Sequence, residues 1–202
     1  MAAHPLRLRP LLVAVAATVA LAAVPGAPTV SAADPSASPV APQPAFVMPD
    51  GMRLIVKPVF HVAVKTILTD AGSDGHHLGD LRVLPATDLY DEGGYTVGSL
   101  NAMLLTTSVD VPAPGDEVRM SRLDFVLSRD PVEPGAGPDQ VIVTGSGYYP
   151  GDQSTIAVGA VLVRPIVGGS GAYAGASGWA ESSHLEDGSW RHTLYIVMPE
   201  LP

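Results

Sequence analysis

The stretch Ile166-Val-Gly-Gly-Ser-Gly-Ala-Tyr-Ala-Gly-Ala-Ser-Gly178 decides the reading of this chain. Five of its thirteen residues are glycine, and they interrupt two runs, Thr155–Val167 and Ala172–His184, that otherwise read as strands. Glycine has no Cβ, so it accepts positive φ and lets a neighbouring backbone come close. The composition is that of a tight turn leading into a sharply bent, closely packed strand.

The same pattern repeats outward from this turn. Met52–Lys57, Phe60–Leu68, Leu81–Leu84, Tyr95–Asp110, Glu117–Arg129, Gln140–Gly145 and Trp190–Met198 are rich in β-branched and alternating apolar residues. Turn signals separate them: Asp91-Glu-Gly-Gly94, Pro112-Ala-Pro-Gly-Asp116 and Asp187-Gly188. No window has a helical period. About eight consecutive strands with short links predict an all-β fold, an eight-stranded antiparallel up-and-down barrel, which removes edge strands. Such a barrel has room inside for its own side chains or for one small ligand.

Residues 1–33 read as a signal peptide. Arg7 and Arg9 precede an apolar run from Leu11 to Val24, Pro25-Gly26 breaks it, and Val30-Ser31-Ala32 offers small residues for cleavage after Ala32 or Ala33. The run is shorter than a bilayer-spanning helix. Residues 34–49, rich in Pro, Ala and Ser, read as a flexible linker, and residues 50–202 as one barrel domain. The expected location is extracellular, with no membrane association after cleavage. The chain has no cysteine, so the export signal is not a lipoprotein signal and the domain uses no disulfide. Without Arg7 and Arg9, nine basic residues face 20 acidic ones, a formal charge of −11. That balance disfavours nucleic acid or an anionic membrane as a partner.

Glu117–Arg129 does not fit a dry core. Val118 and Met120 share one face, Leu123, Phe125 and Leu127 the other, so Arg122 and Asp124 fall in register with Val118 and Met120. Two readings stand: a bulge near Ser121 shifts the phase and leaves both charges in solvent, or Arg122 and Asp124 point into the barrel and line a pocket.

Motifs for chemistry are few. Gly169-Ser-Gly-Ala-Tyr-Ala174 matches a dinucleotide-binding glycine pattern, but no helix start follows it, so it reads as a structural turn. His76-His77 lies between Asp74 and Asp80 without further ligands at a zinc spacing, and reads as a solvent-exposed loop with no metal. No Gly-x-Ser-x-Gly elbow occurs, and Ser146, Ser170 and Ser177 sit in glycine-rich turns without a nearby base. The acid-rich Thr87-Asp88-Leu89-Tyr90-Asp91-Glu92 reads as a solvated turn that could offer a general acid or base to a lumen.

Gly79-Asp80-Leu81, Leu89-Tyr90, Val97-Gly98 and Gly168–Gly178 occur in the order found in the allene oxide cyclase and dirigent superfamily, which this chain resembles over residues 77–198. The resemblance implies an eight-stranded, calycin-like barrel with a hydrophobic cavity, often trimeric. Tyr173 keeps the aromatic of the glycine motif, and Asp88 matches an aspartate that often precedes the L-Y pair. The family's acting residues are replaced. Ala172 and Ser177 stand where dirigent proteins carry an aspartate and an arginine. Met52–Leu68 lacks the glutamate segment of the plant cyclases, and Leu104 lies near the position of their cysteine.

The sequence therefore predicts a secreted barrel that binds a small hydrophobic molecule in its lumen and steers its cyclisation or coupling without a cofactor, as a homotrimer if it follows the family. Asp88, Tyr90, Arg122, Asp124 and Tyr173 are the candidate ligand-binding residues; no catalytic residue is identified. The alternative is a non-catalytic extracellular module whose barrel is plugged by Met103, Met120, Phe125 and Trp179.

Overall fold

A computed structural model of the chain describes residues 47–72, 75–127, 137–150 and 155–200. The expected signal peptide (1–33) and nearly all of the linker (34–49) lie outside these residues, as does the 128–136 loop that includes Arg129. Among the described residues, no helix is long and apolar enough to cross a membrane.

Nine strands form one antiparallel sheet: β1 (Met52–His61), β2 (Ile67–Thr69), β3 (Leu81–Tyr90), β4 (Thr96–Val109), β5 (Asp116–Val126), β6 (Gln140–Pro150), β7 (Val161–Ser170), β8 (Ser177–His184) and β9 (Trp190–Pro199). Eight of them close into a ring in the order β1-β9-β8-β7-β6-β5-β4-β3, and β3 meets β1 again where Phe60 lies opposite Tyr90. The expected eight-stranded barrel is what the chain forms, and β2 is an added short strand against the start of β3. We call the end where β1 finishes and β9 begins the upper end.

Several strand limits differ from the sequence reading. Phe60–Leu68 is interrupted: β1 ends at His61, and residues 62–66 pass to β2 without strand pairing. Leu81–Leu84 is only the start of a ten-residue strand that bulges between Leu84 and Thr87, so Thr87–Tyr90 are strand and not turn. Gln140–Gly145 runs on to Pro150, whereas the run starting at Thr155 becomes strand only at Val161.

The glycine-rich stretch closes the lower end. Strand β7 bulges between its partners Ile142 and Val143, a single 3-10 turn (Gly171–Tyr173) follows, and β8 starts at Ser177. Asp139 fastens this turn: its Oδ1 accepts the Ala172 N–H at 2.7 Å. Gly171 has φ +59°, and a Cβ there would run into Asp139. Gly178 has φ +122°, and a Cβ there would run into the Tyr195 carbonyl of β9. The strand bend that curls the sheet thus depends on a missing side chain.

Inward-facing side chains of the strands pack into an apolar plug. Val59, Leu89, Leu100, Phe125, Leu194 and Ile196 have no exposed surface. Each such side chain contributes about 1.5–3 kcal/mol through removal from water.

Gly178→Ala is expected to destabilise the barrel by about 2 kcal/mol or more in urea unfolding, because neither φ nor space admits a Cβ. Gly168→Ala, at a position with open space and no positive φ, is expected to change it by less than about 0.5 kcal/mol. Equal effects of the two substitutions would contradict this account of the turn.

Candidate functional site

Above the plug the lumen opens into a cavity of about 270 Å³. Its floor is apolar, formed by Leu84, Leu100, Ala102 and Leu123. Alternation along β8 and β9 places Ser182 and His184, and Trp190 and His192, on the inner face, where with His61 of β1 they form one wall. Tyr149 of β6 and Arg164 of β7, on the next strands round from β8, continue the lining.

The wall is a run of stacked rings. His61 and His192 stack at 5.3 Å between centroids, His184 and Trp190 at 5.1 Å, and the edge of Phe125 meets His192 at 5.1 Å. His192 is buried, its Nδ1 lies 2.8 Å from Ser182 Oγ, and its Nε2 has no partner. Burial, followed by repulsion from His61 and Arg164, holds its pKa well below the ordinary histidine value. Burial also lowers His61, partly offset by the hydrogen bond between its Nδ1 and the Val62 carbonyl at 2.7 Å. Both rings are therefore neutral at pH 7 and can polarise or accept a hydrogen bond from a bound molecule.

A second polar cluster lies behind Tyr149, and Glu117 is its centre. Glu117 Oε2 accepts from Arg119 Nε at 2.7 Å, Thr106 Oγ1 at 3.0 Å and Arg82 Nη1 at 3.4 Å, while Oε1 meets His76 Nδ1 at 2.7 Å. Burial alone would raise this carboxyl; the hydrogen bond and charge of Arg119, with Thr106 and Arg82, bring it below the usual range. Arg119 has no exposed surface and lies 4.5 Å over the Tyr149 ring. On the other side, the Tyr149 hydroxyl accepts from Arg164 Nη2 at 2.5 Å.

The candidate residues from the sequence lie elsewhere. Strand β5 pairs with β6 without a register shift, so no bulge occurs near Ser121. Its inner face is Glu117, Arg119, Ser121, Leu123 and Phe125, all buried. Arg122 and Asp124 are on the outer face, joined by an ion pair of 3.0 Å from Arg122 Nε to Asp124 Oδ1. A charged pair does enter the barrel, but it is Glu117 and Arg119. Asp88 is exposed on β3; Tyr90 ends the same strand, opposite Phe60. Tyr173 packs on the core from the closing turn. None of the five lines the upper cavity. Of the side chains expected to plug the barrel, Met103 and Met120 are exposed outside, Trp179 stacks on Tyr195, and Phe125 alone belongs to the buried core.

The paired histidines divide their work. His76 is drawn to Glu117, so it is not a purely solvated loop residue. His77 lies with Asp70 and Asp80, whose ligand atoms fall within 4.8 Å of one another. The oxygens of Asp80 already accept the Ala71 and His77 amides at 3.0 and 3.1 Å, which makes Asp80 the staple of this loop.

A neutral buried His192 fixes a sign. The unfolded chain takes up a proton near pH 6.5 that the folded barrel refuses, so stability falls as pH drops below that value. The loss is at most about 1.4 kcal/mol per pH unit for each such histidine. Urea unfolding between pH 7 and 5.5 should show this slope, and His192→Phe should flatten it; an unchanged slope in the variant would contradict a neutral His192.

No protein-family model and no curated protein sequence matches the chain. Solved structures do resemble it. A pterocarpan synthase dirigent protein aligns with TM-score 0.53 at 13% identity, over 83% of this chain and all of its own. An exo-specific intermolecular Diels-Alderase aligns with TM-score 0.51 at 16% identity, over 73% of this chain and 98% of its own. A pyocyanin demethylase aligns with TM-score 0.51 at 18% identity, over 70% of this chain and 99% of its own. At these identities the likeness is one of fold: the chain has the barrel found in dirigent and cyclase proteins.

Proposed function

We propose that the chain is an exported barrel, of the kind used by dirigent proteins and allene oxide cyclases, that takes a small, largely hydrophobic molecule into its upper lumen and steers its cyclisation or coupling without a cofactor. The observation that carries this reading is the division of the lumen. The lower half is packed solid, while the upper half leaves about 270 Å³ between an apolar floor and buried polar side chains. A barrel kept only as a structural module would gain stability by filling that space.

Chemistry in such a site comes from placement. The apolar floor and the stacked wall of His61, Trp190 and His192 hold a flexible molecule in a folded conformer, which lowers the entropic part of a ring-closing or coupling barrier. The low-dielectric lining of the cavity strengthens each hydrogen bond from His192, Ser182 or Tyr149 to a polarised carbonyl. The fold-level similarity to a Diels-Alderase and a pterocarpan synthase dirigent protein supports the reaction class by analogy. Export rests on the pattern of residues 1–33. Homotrimer formation rests on the family resemblance and on apolar side chains exposed outside the barrel, among them Met120, Tyr148, Val161 and Val163.

The neutral apolar fluorophore N-phenyl-1-naphthylamine should bind the barrel one to one. Ala102→Trp, which fills the cavity from its floor, should abolish binding while circular dichroism and Tm stay close to the parent's. Undiminished binding in the folded variant would sink the lumen as the site. Native mass spectrometry of protein recovered from culture medium is expected to show three copies beginning at Ala33 or Asp34, against a monomer retaining its first 32 residues if export and assembly are misread.

A further inference from the structure

The upper lumen contains a buried charge that has no ion pair among the described residues. Arg164 is 4% exposed and lines the cavity. One of its terminal nitrogens donates to the Tyr149 hydroxyl, and its Nε has no partner. No ion pair of Arg164 occurs among the described residues; Glu117 is taken by Arg119 and Arg82, and Asp124 by Arg122. The contrast with Arg119 is direct. Both guanidinium groups are buried against Tyr149, one over its ring and one at its hydroxyl, yet only Arg119 has a carboxylate, at 2.7 Å.

A guanidinium taken out of water without a counter-charge is costly, and chains keep one chiefly where something else supplies the charge. Here the unpartnered Nε–H of Arg164 borders the same cavity as the unpartnered Nε2 of His192. The planar fork of an arginine matches a two-oxygen anion through paired N–H donors.

We propose that Arg164 is an anion-recognition residue, and that the molecule held in the lumen carries a two-oxygen anionic group, a carboxylate or the enolate of a 1,3-dicarbonyl, on an apolar skeleton. This inference rests on the reading of the lumen as a small-molecule site and adds the substrate class to it. The oxyanion pairs with the Arg164 guanidinium, and the skeleton lies on Leu84, Leu100, Ala102 and Leu123. The neutral rings of His61 and His192 place no competing cation beside Arg164. Orientation follows: with one end fixed at β7, the reacting part of the molecule faces the Trp190 and His192 wall.

Calorimetric titration at pH 7.5 tests this with three probes of similar size: 2-naphthoate, the enolate of 2-acetylindane-1,3-dione, and neutral 2-naphthamide. At least one anion should bind about tenfold or more tightly than the amide, and which anion does so identifies the group. Arg164→Met should remove that preference, leave amide binding in place, and melt no lower than the parent, since it removes an uncompensated buried charge. Arg164→Lys should keep part of the preference. Equal binding of anions and amide by the wild-type protein overturns the role of Arg164 while leaving the lumen as a site, as does a preference that survives Arg164→Met. If no probe binds and N-phenyl-1-naphthylamine is also excluded, the lumen reading falls together with the inference.

Discussion

Glu117 is the group on which the upper half of the barrel depends. One buried carboxylate gathers Arg82 from β3, Thr106 from β4, Arg119 from its own strand and His76 from the segment between β2 and β3. Without it, Arg82 and Arg119 would each lose the buried carboxylate they pair with, a loss costing several kcal/mol. With it, the inner face of β5 carries charge at its start and apolar side chains from Leu123 on. That switch along a single strand is what divides the lumen into a polar mouth and a dry base.

The two ends of the barrel then serve different ends. Below, Gly171 and Gly178 let the β7–β8 connection fold tightly and the sheet bend, and Asp139 pins the turn, so the apolar plug is sealed. Above, β1 leaves the sheet at His61, and Ala63, Val64 and Thr66 border the cavity before β2 resumes pairing. A packed base and a partly open mouth suit the proposed site, which would act through its shape. Arg164 stands out against the neighbouring charges, which are matched: Arg119 and Arg82 have Glu117, and Asp80 has two amides.

Much of the fold was legible in the sequence, because period-two alternation and glycine-marked turns are local signals. Strand count, antiparallel order and the closing turn all came from them. The site was not legible, for a physical reason visible in β5. Parity there gives two faces with apolar residues on both, Val118 and Met120 against Leu123 and Phe125. Choosing the inner one requires knowing that Glu117 and Arg119 are satisfied by β3, β4 and a loop. Those partners are 35 and 11 residues away, and 41 for His76, separations that no window reading spans. Arg122 and Asp124 drew attention as a pair of charges in a strand, yet they pair in solvent. In β8 and β9 the signal was present but unused: Ser182 and His184, and Trp190, His192, Leu194 and Ile196, alternate on one face, which is a lining pattern once the strand closes a barrel.

The central claim is that the upper lumen, and not the outer wall, is where a small molecule sits. Methyl-resolved NMR during titration with N-phenyl-1-naphthylamine tests it most directly. The account predicts that the methyl signals of Leu84, Leu100, Ala102 and Leu123 move together and saturate at one equivalent, while the exposed Met103 and Met120 stay still. Shifts confined to Met103 and Met120, with the lumen methyls unmoved, would contradict it.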